Sequence, residues 1–231
     1  MRKVSGLTHS AVTDVGRVRR RNEDVYLADD AIGLYAVADG MGGHAAGDVA
    51  SRFAIEALAR EARSAAWPRL HGGFLRAAFR RAHQALLRDM RRHPEREGMG
   101  TTLTACTVSG GKLFLQHAGD SSLYLVRGSS CRRLTERHNG WMGGLDRCLG
   151  VSRDMYWEGQ SLEEDVVDGD AIVLASDGLT GYTDEDPDII ARVLATVPAA
   201  DAARALVDYA LAKGGEDNAT VVVVHVLGEG V

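Results

Sequence analysis

The sequence predicts a layered α/β fold, with mixed sheets inside and helices packed outside. Three observations lead there. Short apolar runs bounded by turn residues, as at 34–38, 172–175 and 220–224, read as buried strands. Helical periodicity occupies two stretches before the middle strands and two more before the last one. Glycine turns at Gly110-Gly111 and Gly128-Ser129 join the middle strands tightly, which argues against a regular βαβ winding.

Element by element, residues 7–14 and 25–27 read as short strands, followed by a strand ending at Ala38. From about 45 to 66 the pattern is helical, with Val49, Phe53, Ile55 and Leu58 on one broad buried face. Trp67-Pro68 breaks it. A second helix is expected over 73–92, stopped by Pro94. Strands follow at 101–108, 112–118, 123–127 and 131–134. After an irregular, glycine-containing stretch at 139–150 comes the strand ending at Ser176. Helices at 188–195 and 200–212, the second ended by Gly214-Gly215, lead into a last strand at 219–227. No linker or low-complexity segment divides the pattern, so residues 1–231 read as one domain.

A net charge of -5 gives no electrostatic reason to expect nucleic acid as a partner. Cys106, Cys131 and Cys148 are odd in number and lack metal-ligand spacing, which suits a reducing cytoplasm better than a disulfide framework. No apolar run has the length of a membrane span, and residues 1–10 lack the apolar core of a signal peptide. The expectation is a cytoplasmic protein without membrane contact.

The chemistry lies in three aspartates. Two apolar runs end in Asp39-Gly40 and Asp177-Gly178, and Asp217 immediately precedes a third run. Carboxylates converging from well-separated strand ends suit a hard divalent cation, Mg²⁺ or Mn²⁺. Taken singly, each Asp-Gly reads as readily as a strand-ending turn.

In combination the motifs say more. Asp39-Gly40-Met41-Gly42-Gly43-His44, Gly100-Thr101-Thr102, Ala118-Gly119-Asp120-Ser121, Ala175-Ser176-Asp177-Gly178-Leu179 and Glu216-Asp217-Asn218-Ala219-Thr220 stand in order. Together they resemble the motif set of bacterial metal-dependent protein phosphatases of the 2C type, from about residue 13 to 224. That resemblance implies a central β-sandwich of two mainly antiparallel sheets flanked by pairs of antiparallel helices, with a metal centre at one edge. It implies that Asp39 bridges two cations, that Gly40 offers a carbonyl oxygen, and that Asp177 and Asp217 hold the second cation. Asp24 and Glu23 would act through bound water, and Asp120 with Asp177 would hold a third cation. Arg19, five residues before Asp24, would grip the substrate phosphate, and His44 would be the general acid for the leaving alkoxide. The implied activity is hydrolysis of phosphoserine and phosphothreonine on proteins by a water or hydroxide bridging two Mn²⁺ or Mg²⁺ ions, without a phosphoenzyme. Its implied partners are phosphorylated proteins and a cognate serine/threonine kinase, with the enzyme a monomer. The residue types fit, since paired cations activate water and arginine meets phosphate bidentately.

The chain departs from its relatives at one place. They open a helical flap with Thr-x-Asp-His-Ser, whereas here Thr135-Glu136-Arg137-His138-Asn139 is followed almost at once by 141–150. A shortened, glycine-containing flap implies a more open cleft, with Trp141 and Met142 or a partner supplying substrate contacts. Two other functions compete with the leading one. A non-catalytic phosphoprotein-binding scaffold is disfavoured by the intact aspartates. A two-metal nuclease is disfavoured by an aromatic content of only 6% and the absence of a basic, aromatic-rich groove. The arginines at 76, 80, 81, 88, 91, 92 and 96 read as a solvated helix face rather than a docking face.

Overall fold

Apolar runs buried on both faces build the centre of the molecule. The computed structural model describes residues 4–41, 46–64, 72–140, 144–155 and 157–228. In chain order these form β1 (Val4–Asp14), β2 (Asp24–Asp29), β3 (Leu34–Met41), α1 (Gly47–Ser64), α2 (Gly72–Arg92), β4 (Gly100–Thr101), β5 (Leu103–Ser109), β6 (Lys112–Ala118) and β7 (Ser122–Arg127). Then come β8 (Ser130–Arg133), β9 (Leu149–Gly150), β10 (Gln160–Asp165), β11 (Ala171–Ala175), α3 (Asp177–Thr180), α4 (Asp188–Leu194), α5 (Ala202–Lys213) and β12 (Ala219–Gly228).

One sheet has the order β1-β12-β11-β7-β8, and the other β10-β6-β5-β3-β4-β9, with β2 on the free side of β3. Every pairing between these strands is antiparallel. Alternation along each strand explains the layers. Tyr35, Val37, Ile172, Leu174, Val222 and Val224 point between the sheets. Leu34, Ala36 and Ala38 face outward onto α1 and α2 beside Leu58, Phe79 and Leu86. Val173, Ala175, Val221 and Val223 face the opposite way, onto α4 and α5 beside Ile190, Leu206 and Val207. Helix–sheet–sheet–helix is thus the architecture, and it is the reason strands β3, β11 and β12 lack polar alternation in sequence. Among the described residues no helix is long and apolar enough to cross a membrane.

Three local differences from the expected elements bear on the site. Strand β3 continues past Ala38 through Asp39 and Gly40 to Met41. The strand expected at 101–108 is interrupted at Thr102, between β4 and β5, so that β3 pairs with β5 below and β4 above. Strands β9 and β10 were not expected: β9 has only two residues, and β10 (Gln-Ser-Leu-Glu-Glu-Asp) is a polar edge strand with one apolar residue.

Phe79 is fully buried where α2 meets the second sheet. Phe79→Ala should therefore cost about 3–5 kcal/mol in urea unfolding, with the denaturant slope unchanged.

Candidate active site

The two Asp-Gly pairs are close-packing positions rather than turns. Neither Gly40 nor Gly178 has a positive φ. A Cβ on Gly40 would lie 2.1 Å from the Gly47 carbonyl oxygen at the start of α1, and 2.8 Å from that of Glu23. A Cβ on Gly178 would lie 2.1 Å from the Asn218 carbonyl oxygen. In each case glycine lets a second backbone reach the residue beside the aspartate, and so crowds chain segments around the carboxylates.

Hydrogen bonds then lock those segments together. The β3–β2 register sets Asp39 opposite Asp24. The interruption at Thr102 grips Asp39 from the other side: Asp39 N–H donates to Thr102 Oγ1 (2.9 Å), while Thr102 N–H (2.9 Å) and Thr101 Oγ1 (2.8 Å) donate to the Asp39 carbonyl. Ser176 Oγ donates to Asp24 Oδ2 at 2.7 Å and accepts from Thr220 N–H at 2.9 Å. Asn218 ties the N-terminal arm to β12. Its Oδ1 accepts from Glu23 N–H (2.9 Å), and its Nδ2 donates to the carbonyls of Val15 and Arg21 (2.9 Å each). The Glu23 carbonyl accepts from Gly40 N–H (3.1 Å) and Ser51 Oγ (2.6 Å), which joins the arm to β3 and α1.

Glu23, Asp39, Gly40, Asp120, Asp177 and Asp217 line one cleft of about 610 Å³, with Arg19 at its rim and Asp24 buried behind. Asp177 heads α3 rather than ending a strand. Arg19 Nη2 donates to Asp217 Oδ2 at 2.6 Å. So the structure brings together every sequence-derived site residue except His44, which lies outside the described residues, as do Gly42, Gly43, Trp141 and Met142.

The electrostatics of this cluster are lopsided. Burial, then the neighbouring Asp24 and Asp177, pushes the Asp39 carboxyl well above its ordinary range. Burial raises Asp24 to about 7 against the hydroxyl hydrogen bonds that favour its ionised form, and Asp177 and Asp217 add to the rise. Asp177 is raised to about 6 by burial and then by Asp120 and Asp217. Glu23 and Asp120 are raised as well, chiefly by burial. Asp24 Oδ1 and Asp177 Oδ1 are buried and have no hydrogen-bond partner among the described residues. An all-oxygen donor set, desolvated, mutually repelling and partly orphaned, fits hard divalent cations. Among the described residues no three His, Cys, Asp or Glu side chains already stand close enough together to hold a metal ion by themselves. A backbone carbonyl and water would complete the coordination shell, as Mg²⁺ sites usually require.

The base of the shortened flap is tied down. His138 N–H donates to the Gly119 carbonyl (3.0 Å), and Gly119 N–H donates to His138 Nδ1 (3.1 Å). Arg137 pairs with Asp184, and Arg133 reaches the same carboxylate at 3.2 Å and the Asp120 carbonyl at 3.4 Å. Asn139, Gly144 and Leu145 form the cleft's rim. Sequence reasoning passed over the anchoring roles of Ser176, Asn218 and His138. Their one signal was a polar residue at the end of an otherwise apolar run or beside a candidate ligand.

A family profile described as protein phosphatase 2C matches residues 18–211. The chain belongs to the protein phosphatase 2C family. It is 35% identical over 237 residues to the serine/threonine protein phosphatase PstP of Mycobacterium tuberculosis, a match covering 96% of this chain but 45% of that protein. The chain thus spans under half of PstP. Against the serine/threonine phosphatase stp of Listeria monocytogenes it is 32% identical, over 92% of this chain and 93% of the relative. The crystal structure of the PstP catalytic domain with two manganese ions superposes with a TM-score of 0.86 at 35% identity, covering 97% of this chain and 99% of that one.

Gly40→Ala tests the close approach of α1 and the N-terminal arm to β3. The methyl group cannot fit unless α1 or the N-terminal arm shifts, so the variant should lose about 2 kcal/mol or more of stability in urea unfolding. An unchanged unfolding midpoint would mean that the two backbones are not held as described.

Proposed function

We propose that this chain is a metal-dependent protein serine/threonine phosphatase, acting in cytoplasmic signalling on phosphorylated proteins made by a cognate kinase. The observation that carries this reading is the convergence of Asp39, Asp177 and Asp217, from three separate segments, on one cleft that has an arginine at its rim, with Asp24 buried behind it opposite Asp39. Residues 1–231 would act as one monomeric catalytic unit.

In this reading Asp39, the Gly40 carbonyl, Asp177 and Asp217 hold two Mn²⁺ or Mg²⁺ ions, Asp24 and Glu23 do so through water, and Asp120 with Asp177 holds a third. Bound there, such ions supply a water of lowered pKa and positive charge for the transferring phosphoryl group. The chain's own residues do the positioning. Thr102 holds the Asp39 backbone, and Ser176 the Asp24 carboxylate, in place. Arg19, mostly exposed and, among the described residues, paired with Asp217, would turn its planar fork onto the phosphate oxygens. His44, by its place in the motif, would protonate the leaving alkoxide.

No side-chain nucleophile is needed. The three cysteines are free and buried, and burial pushes the thiols of Cys131 and Cys148 up to about 12, so both stay protonated at neutral pH.

Phosphate release from a phosphothreonine peptide under Mn²⁺ titration tests the reading. Asp39→Asn should abolish release while leaving a folded chain. Arg19→Ala should raise KM by roughly 10-fold or more through loss of a charge-assisted hydrogen bond, with a smaller change in kcat. A folded, Mn²⁺-saturated wild-type chain that releases no phosphate would sink the proposal in favour of a binding scaffold.

A further inference from the structure

Helix α2 carries six arginines against one aspartate, in a chain whose net charge is -5. Two are neutralised locally, Arg76 by Glu158 at 3.3 Å and Arg81 by Glu61. Arg88, Arg91 and, across from them, Arg153 are exposed and make no ion pair among the described residues. They border a trough between α2 and residues 151–153, 157 and 158. One cavity of about 450 Å³ and another of about 420 Å³ share Leu87, Arg91 and Arg153, so the two form one groove. A third, further along α2, continues it past Trp157. From residue 73 to 94 the trough is about 30 Å long at helical rise.

Its floor is largely apolar. Leu87, Met90, Pro94 and Val151 line the wider end, where Glu97 is the one acidic residue among the described lining, against Arg91 and Arg153, and Trp157 lies against His83 with ring centroids 6.4 Å apart. Val151 is the only non-glycine with positive φ (58°) among the described residues, a strained conformation for a β-branched side chain. It is held there by its N–H bond to the Met99 carbonyl at 2.7 Å. Strain retained at a concave, charged surface points to a use for that surface.

We propose that this trough docks an acidic segment of a partner protein, with carboxylates on Arg88, Arg91 and Arg153 and an apolar side chain seated between Leu87 and Val151. Charge complementarity selects an anionic occupant, and the apolar floor selects a peptide over a phosphodiester backbone. No residue lining the trough lines the carboxylate cleft, so the inference stands apart from the phosphatase reading.

Fluorescence anisotropy with a labelled peptide alternating glutamate and leucine tests it, with a glutamine–leucine peptide and a single-stranded DNA oligonucleotide as comparisons. Saturable binding of the acidic peptide at low salt is expected, weakening with added salt, and little of the glutamine peptide. Combined Arg88→Glu, Arg91→Glu and Arg153→Glu should weaken binding about tenfold or more, with the melting temperature unchanged. If the combined variant misfolds, Arg153→Glu alone, in an exposed loop, should still weaken binding measurably. Absence of saturable binding, equal affinity in the variants, or tighter binding of the oligonucleotide would overturn the proposal.

Discussion

Mutual repulsion among desolvated carboxylates governs the cleft edge of this molecule. Asp24, Asp39 and Asp177 all hold their protons to higher pH than free carboxylates do, because burial and one another's charge penalise ionisation. Among the described residues, the positive charges of Arg19 on Asp177 and Glu23, and of Arg133 and Arg137 on Asp120, offset this only in part. Arg19 is paired with Asp217, and Arg133 and Arg137 with Asp184. A cluster of this kind is stable at neutral pH only with protons or cations among its members. The same tension that makes the site costly to the apoprotein makes it selective for hard, multiply charged ions.

The fold supplies the force that holds these groups together. Both faces of each central strand are buried, so β3, β11 and β12 cannot slip in register without exposing a row of apolar side chains. The aspartates sit at or just beyond the ends of these strands and inherit that rigidity. Asn218 and the Glu23 backbone then stitch the N-terminal arm across the strand ends, joining β12, β3 and α1 through one set of hydrogen bonds. The arm in turn carries both Asp24 and Arg19. Positioning of Arg19 and of the carboxylates is thereby one structural problem with one solution.

Much of this was legible in the sequence, for identifiable reasons. Long helices with a broad apolar face, such as α1 and α2, announce themselves by period, and so do strands buried on both sides. The Asp-Gly pairs were legible as special positions, but their physical meaning was not. A sequence reads glycine after aspartate as a turn, whereas here each glycine admits a neighbouring backbone that comes from a distant segment. Strand β10 escaped because an edge strand facing solvent has almost no apolar pattern. The break at Thr102 escaped because periodicity cannot report which hydrogen bonds a hydroxyl takes over. The arginines of α2 read as a solvated face, since a trough requires residues 151–153, 157 and 158, remote in sequence, to form its second wall.

Calorimetric titration of the metal-free protein with Mn²⁺ near pH 6.5, repeated in buffers of different ionisation heat, measures how many protons leave as the ions bind. With Asp24 raised to about 7 and Asp39 well above its ordinary range, the account predicts release of at least about one proton per chain, falling as the pH is raised. Saturable Mn²⁺ binding with no proton release would contradict it, because the carboxylates would then be ionised and at ease without the metal.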